Sequence, residues 1–185
     1  MSNSEQLALW INLYNAFTVA AILERYPIKS ILPKIWGVPN WFAFLWFFQS
    51  RVHNVGGKFY SLGEIENNIL RDKLQEPRIH FAIVCASIGC PLLRDGAYFP
   101  EQIEQQLDDD ARRFINNVGK VCYNEESNIL FCSKIFKWYR QDFLKVAPSI
   151  PEYIRPYLDS DLPIAASTPI EYLYYDWNIN QRISS

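Results

Sequence analysis

The chain opens on a helical pattern, because apolar residues recur at spacings of three and four between Leu7 and Glu24. This pattern predicts a core helix, with Ser4 as its N-cap. Asn12 and Asn15 lie three residues apart on one face of this otherwise apolar helix, so their buried amides need partners. They either bond to neighbouring loops or line a substrate pocket, where a side-chain amide can orient a base or donate to an oxyanion.

Further along the chain, the segment SLGE is a capping-box pattern, and it predicts a helix that continues through IENNILRDKL. Amphipathic periodicity predicts a helix over 99–117, and alternation predicts a hairpin over 120–132. A helix over 134–143, a short one in PEYIRPYL and a strand in EYLYYDWNIN complete the prediction. This mixed order favours a single α+β domain over residues 1–185, with a small, mostly antiparallel sheet flanked by helices.

The strongest apolar run is WFAFLWFF, from Trp41 to Phe48. Eight residues are too few to span a bilayer, which needs about 20 in a helix. We therefore expect a buried strand or a hydrophobic lip of a cleft, and no membrane contact. Interfacial contact through the aromatic side chains is the less favoured alternative.

Candidate chemistry is concentrated in RIHFAIVCASIGCPLL, where one of two histidines and two of four cysteines fall between His80 and Cys90. The pattern predicts a buried strand over 80–84, then a turn, with Pro91 opening a helix that Cys90 caps. A helix N-terminus lowers a thiol pKa, which favours Cys90 as a nucleophile. Cys85, at the end of the strand, is either the nucleophile or a wall of the pocket. Both thiols could instead be buried for packing alone.

A cysteine nucleophile needs a base and an orienting group. His80 is the candidate base, although a fully extended chain would place its Cα about 16 Å from that of Cys85, so the chain must fold back for them to meet. The only other histidine is His53. Glu66 is the candidate carboxylate that orients the base or pairs with Arg71, the alternative being a solvated or salt-bridged glutamate.

Composition excludes several classes of protein. The four cysteines include no CxxC pair and match no zinc spacing, so we expect free thiols in a reducing compartment and no metal. The net charge of −2 includes no basic block, which argues against nucleic acid. No glycine-rich phosphate motif supports a nucleotide, so we expect no cofactor. The first residues do not form a signal peptide, which predicts a cytoplasmic protein as given.

Five segments stand in an order that resembles the domain of unknown function (DUF) 547 family of bacteria, cyanobacteria and plants: WINLYNAFTVAAIL, GGKFYSLGEIENNILR, RIHFAIVCASIGCPLLR, LFCSKIFKWYRQDF and EYLYYDWNIN. The resemblance runs from about Leu7 to Asn180. It implies a relationship to cysteine hydrolases of the papain or transglutaminase type. Because the first segment lies almost at the start of the chain, an upstream targeting signal or domain is left open.

The resemblance also bears on individual residues. Family members often read IEH where this chain has Asn67, and if that histidine is the family's base, its absence weakens the case for activity. Some plant members carry serine at the position of Cys90, which favours Cys85. The family's terminal YDWSLN motif marks Asp176 and Asn180 as further candidates for an orienting or substrate-binding group.

Two functions are consistent with these residues. In the first, Cys85 or Cys90 attacks an amide or thioester-type carbonyl, His80 transfers the proton, and Glu66 or Asp176 orients the imidazole, giving hydrolysis or acyl transfer. In the second, the same pocket binds a peptide or small ligand without catalysis. Redox sensing by the cysteine pair is a more distant third. Nothing in the sequence sets an oligomeric state.

Overall fold

A computed structural model describes residues 1–181 of the protein. The predicted first helix is confirmed as α1, Asn3–Leu23. Its cap is Ser2 rather than Ser4: the Ser2 hydroxyl accepts from the backbone N–H of Glu5, whose carboxylate accepts from the backbone of Ser2. The helix therefore begins about one turn before the first periodic apolar residue, Leu7.

Helix α1 is the one described helix whose length and mean hydropathy, 21 residues and 1.4, would suit a membrane span. In this structure it is a core helix, because one of its faces is buried against the rest of the chain. A long apolar helix that packs in a core can have the same length and hydropathy as one that spans a membrane.

The aromatic run forms a helix, α2, at Trp41–Gln49, so the predicted buried strand is wrong. Asn40 caps it, its side chain accepting from the backbone N–H of Ala43 at 3.1 Å. No residue of α2 is buried. Two short hairpins flank the helix: β1 (Lys34–Ile35) with β2 (Val38–Pro39), and β3 (His53–Val55) with β4 (Lys58–Tyr60).

The capping box at Ser61 is confirmed and begins helix α3, Leu62–Glu64. The helix continues as a π-helix over Ile65–Lys73. π-Helices are rare, and the single-turn bulges in which they mostly occur often lie at functional sites. Here the π-helix carries Glu66, Asn67 and Arg71 toward the centre of the molecule.

The predicted strand at His80 is wrong, because Ile79–Ala82 is one turn of helix, α4. All of its residues are buried, and a short run buried on every side does not distinguish a strand from a helix by its periodicity. The helix predicted to begin at Pro91 is also absent from residues 91–98. Leu92 and Leu93 are about half exposed, so that segment lacks the apolar face that would hold a helix to the core.

The second half supplies the sheet. Helix α5, Ile103–Ile115, leads into an antiparallel hairpin of β5 (Val121–Asn124) and β6 (Ile129–Cys132), both as predicted. Strand β7, Ile170–Tyr172, joins β6 in parallel and is shorter than expected. The predicted helix over 134–143 is broken at Tyr139 into α6 and α7, and the short helix in PEYIRPYL is present. The bounds of these helices are α6 Ile135–Trp138, α7 Arg140–Phe143, α8 Ile150–Ile154 and a 3₁₀ turn Arg155–Tyr157. The α+β prediction is confirmed.

Helix α4 lies between two hydrophobic clusters. Phe81 packs with the cluster around the sheet and α6–α8, whereas Ile79 and Ala82 pack with the cluster of α1, the π-helix and α5. His80 is therefore held where the two clusters meet. The position of this one turn depends on both halves of the described chain.

Asn15 holds the backbone that leaves α4. Its side-chain amide donates to the Ala82 carbonyl at 3.0 Å, and its oxygen accepts from the Val84 N–H, also at 3.0 Å. Asn12 does the same for Tyr98, bonding both its backbone N–H and its carbonyl at 2.9 Å. Both amides thus bond to neighbouring loops, as irregular buried backbone requires.

We predict that Asn15→Ala lowers the free energy of unfolding by about 2–6 kcal/mol, because it leaves two buried backbone groups without partners at about 1–3 kcal/mol each. Urea denaturation at neutral pH measures it. Asn68→Ala is the control, since Asn68 is exposed on the π-helix, and it should change the free energy by less than about 0.5 kcal/mol. Equal effects of the two substitutions would contradict this role of Asn15.

Candidate active site

A cavity of about 370 Å³ lies between α2, the π-helix, α4 and the C-terminal segment. Four of the predicted site residues line it: Glu66, His80, Cys85 and Cys90. Much of the remaining wall is aromatic, contributed by Tyr14, Trp41, Phe44, Phe48, Trp138, Tyr139, Tyr175 and Trp177. The three predicted substrate-binding residues, Asn12, Asn15 and Asp176, are not part of the wall.

A tight loop holds the two cysteines close together. Ala86, directly after Cys85, has a φ of +63°, a left-handed conformation that costs a non-glycine residue of order 1 kcal/mol. The neighbouring N–H groups of Ile88 and Gly89 donate to the carbonyls of Asn178 and Asp176, each at 2.8 Å. The C-terminal segment therefore fixes this loop.

Gly89 is needed for that approach. A Cβ atom at this position would lie 2.7 Å from the Tyr175 ring, closer than side chains tolerate. The ring of Tyr175 consequently lies over the loop, with its hydroxyl near the sulfur of Cys85.

The Cys85 sulfur lies among hydrogen-bond donors. The Ser87 hydroxyl is at 3.1 Å and the Tyr175 hydroxyl at 3.4 Å. A hydrogen bond from the Cys90 thiol has the largest effect, and with Ser87 and Tyr175 it lowers the pKa of the Cys85 thiol to about 6 despite burial. Cys85 is therefore the cysteine suited to exist as a thiolate at neutral pH.

Cys90 has the opposite character. It is buried and caps no helix, so the predicted N-cap role is wrong; its sulfur instead accepts from the Cys85 backbone N–H at 2.8 Å. Burial, together with the neighbouring Cys85, raises the pKa of the Cys90 thiol well above its usual range. Cys132 is buried in the sheet, which raises its pKa to about 12, and Cys122 is exposed.

His80 is held by an unpredicted carboxylate, that of Asp142 at the end of α7. The imidazole Nε2 lies 2.9 Å from Asp142 Oδ2, and the ring stacks on Tyr139 with 3.8 Å between centroids. Since a carboxylate only accepts, Nε2 carries a hydrogen. Burial lowers the pKa of His80, so the ring is neutral at pH 7 and its Nδ1 holds a lone pair.

That Nδ1 atom is buried and has no hydrogen-bond partner within residues 1–181. Neither Cys85 nor Cys90 is hydrogen-bonded to the imidazole in this part of the chain, although all three residues line the cavity. Because residues 79–82 form a helical turn, the chain advances less between His80 and Cys85 than the predicted strand would.

Asp142 is the centre of an ionic network. Arg71 donates to its Oδ2 at 2.6 Å and to the side-chain oxygen of Asn67 at 2.5 Å. Although burial alone would raise it, hydrogen bonds from His80 and Arg71 lower the pKa of Asp142 well below its usual range. The segment KWYRQDF carried the family resemblance, but an acidic residue near a helix end gave no separate signal of this contact.

Glu66 binds two tyrosines instead of His80 or Arg71. The Tyr139 hydroxyl donates to it at 2.6 Å and the Tyr14 hydroxyl at 3.2 Å. Asp176 is also separate from the imidazole: its side chain accepts from the Asn178 N–H at 2.9 Å and stabilises the local turn. Within residues 1–181, no group of three or more His, Cys, Asp or Glu side chains is arranged to hold a metal ion.

We predict that iodoacetamide labels Cys85 with a midpoint near pH 6, because alkylation follows the thiolate population. Removing one donor with Tyr175→Phe should raise that midpoint by about one to two pH units, since a hydrogen bond to a charged group contributes about 1.5–3 kcal/mol. Peptide mass spectrometry across a pH series gives the profile of each cysteine.

The matched control is Tyr174→Phe, which removes a hydroxyl group from the preceding residue. The Tyr174 side chain is 82% exposed, so this substitution should leave the midpoint of Cys85 unchanged. A midpoint for Cys85 at or above about pH 8.5 would contradict thiolate stabilisation by these donors.

Comparison with known proteins adds one finding. A family model described as "Protein of unknown function, DUF547" matches residues 1–115. No curated protein and no solved structure matches the chain. The matched residues include both cysteines, His80, Glu66 and Asn67, whereas Asp142 and the C-terminal segment lie beyond them. Because the match covers more than half of its residues, the chain belongs to the DUF547 family.

Proposed function

We propose that the protein is a cysteine-dependent hydrolase or acyltransferase that uses Cys85 to attack an activated carbonyl. One observation carries the proposal: the sulfur of Cys85 lies beside two hydroxyl groups in the wall of a cavity that is also lined by His80, whose Nε2 is bonded to the Asp142 carboxylate behind it. A thiolate and a base oriented by a carboxylate are the groups that such catalysis requires.

In the first step the Cys85 thiolate adds to the carbonyl carbon, and the electron pair of the double bond moves to oxygen. Collapse of this adduct breaks the bond to the leaving group, which departs with its electron pair, and leaves an acyl thioester on Cys85. In the second step a water or acceptor hydroxyl attacks that thioester and gives its proton to Nδ1 of His80. Collapse then releases the product and restores the thiolate, and the protonated His80 ring gives its proton to solvent, which restores the neutral imidazole.

The protonation states favour one substrate class. The neutral His80 ring has no proton on Nδ1 to give to a departing amine, whereas a thiolate or phenolate leaves as an anion. Thioesters and activated esters therefore suit the site better than amides. The aromatic wall formed by residues such as Phe44, Phe48 and Trp177 suits an apolar acyl group.

We predict that Cys85→Ala abolishes hydrolysis of S-phenyl thioacetate, lowering kcat/KM by at least about a thousandfold, as loss of a nucleophile does in other hydrolases. Cys122→Ala is the matched control, because that thiol is exposed and outside the cavity, and it should keep full activity. Release of thiophenol measures both. If Cys85→Ala retains activity while Cys90→Ala loses it, the nucleophile is Cys90 and the assignment to Cys85 fails.

We predict that His80→Gln slows the second step more than the first. Loss of a general base typically lowers the rate about 10²–10⁴-fold, whereas the thiolate attack needs no base. Rapid mixing should then give a burst of one thiophenol per protein, followed by slow turnover. The acyl protein should be visible by mass spectrometry as an adduct on Cys85. Equal slowing of the burst and the steady state would rule out this division of roles.

A ligand-binding module without catalysis is the second candidate. Within residues 1–181 neither thiol is hydrogen-bonded to the imidazole, which favours this alternative, as does Asn67 where the family often has histidine. A wild-type protein that shows a low Cys85 pKa but neither a burst nor turnover would support the binding module.

A further inference from the structure

Helix α2 is apolar on both of its faces. Phe44, Phe47 and Phe48 point toward the protein and pack against its hydrophobic clusters. The opposite face carries Trp41, Phe42, Leu45 and Trp46, each more than half exposed, with Phe42 at 76%. A surface helix normally has polar residues on its outer side, and one that is apolar all round is usually covered.

The neighbouring hairpin extends this surface. Trp36 lies at its tip, is 99% exposed, and has a φ of +50°. With Gly37 at φ +84°, it forms a turn with two left-handed residues, where asparagine is the preferred first residue. Neither packing within the chain nor the turn geometry favours tryptophan there. Contact of Trp36 with a partner outside the chain would favour tryptophan at this position.

Charge indicates what that contact is. The five charged residues between Arg25 and Tyr60 are all basic, in a chain whose net charge is −2. They are Arg25, Lys29, Lys34, Arg51 and Lys58. Arg25 pairs with Glu24 and Arg51 with Glu64, whereas the three lysines pair with no carboxylate among residues 1–181. Exposed tryptophan and phenylalanine in a segment whose unpaired charges are all positive complement an anionic lipid surface.

We propose that Trp36 and the outer face of α2 dock this protein onto the surface of anionic membranes. The aromatic side chains enter the interface between headgroups and acyl chains, and the flanking lysines contact the phosphates. The shortness of the run, which excludes spanning, does not bear on this mode of binding.

The test is co-sedimentation of the full chain with phosphatidylcholine vesicles, with and without phosphatidylserine. We expect binding to the vesicles that contain phosphatidylserine, at least about tenfold weaker binding to phosphatidylcholine alone, and weakening with salt. Equal affinity for both lipids, or no binding to either, would overturn the proposal.

Three variants make the test specific. Trp36→Asn suits the turn, so the protein should fold normally, and it should weaken vesicle binding about tenfold by removing an interfacial anchor. Lys34→Glu should weaken binding to phosphatidylserine vesicles alone. The control is Val118→Asn, which removes an 80% exposed apolar side chain beside the sheet and should change nothing. If Trp36→Asn binds like wild type, the proposal is wrong.

A second copy of the chain is the competing occupant of this face. Sedimentation equilibrium without lipid distinguishes it: a monomer is expected. A dimer that Trp36→Asn dissociates would overturn docking to membranes and assign the surface to self-association.

Discussion

The geometry of the candidate site depends on how the irregular backbone between Ala82 and Cys90 satisfies its hydrogen bonds. This segment is largely buried but belongs to no helix and no strand ladder, so other parts of the chain must supply its partners. Asn15 supplies them at its start, and the carbonyls of Asp176 and Asn178 supply them toward its end. The C-terminal contact also positions Tyr175, whose hydroxyl lies beside Cys85. One set of backbone bonds thus fixes both the thiol and a group that stabilises its ionised form.

A second constraint is the buried charge of Asp142, which requires compensation in the interior. Arg71 provides it and is itself held by the side-chain oxygen of Asn67. Asn67 thereby orients a cation that neutralises the partner of His80. Asn67, for which the sequence resemblance implied a histidine, thus supports the carboxylate that bonds His80.

Local patterns predicted the elements that carry a strong local signal: α1, the capping box at Ser61, α5 and the hairpin of β5 and β6. They failed at α2, at α4 and after Pro91. The run at α4 is buried on all sides and has no periodicity to read, and tertiary contacts decide the conformation of the residues after Pro91. The crowding of His80, Cys85 and Cys90 was readable because rare residues were close in sequence. The role of Asp142 could not be predicted from the sequence, because its contact with His80 spans 62 residues and depends on how two hydrophobic clusters meet at α4.

Helix α2 connects the two proposals. Trp41 contributes both to the wall of the cavity and to the exposed aromatic face, and Phe44 contacts Trp177 across the cavity with 5.1 Å between ring centroids. No residue of α2 is fully buried, and its inner face is held by aromatic contacts, so a lipid surface that binds its outer face would act on the same helix that lines the cavity. A thioester or ester carried on an apolar chain would pass this helix to reach Cys85. Under the two proposals together, the aromatic face and the thiolate would serve one substrate class, the face by concentrating the protein where such chains are found and the thiolate by attacking their carbonyl group.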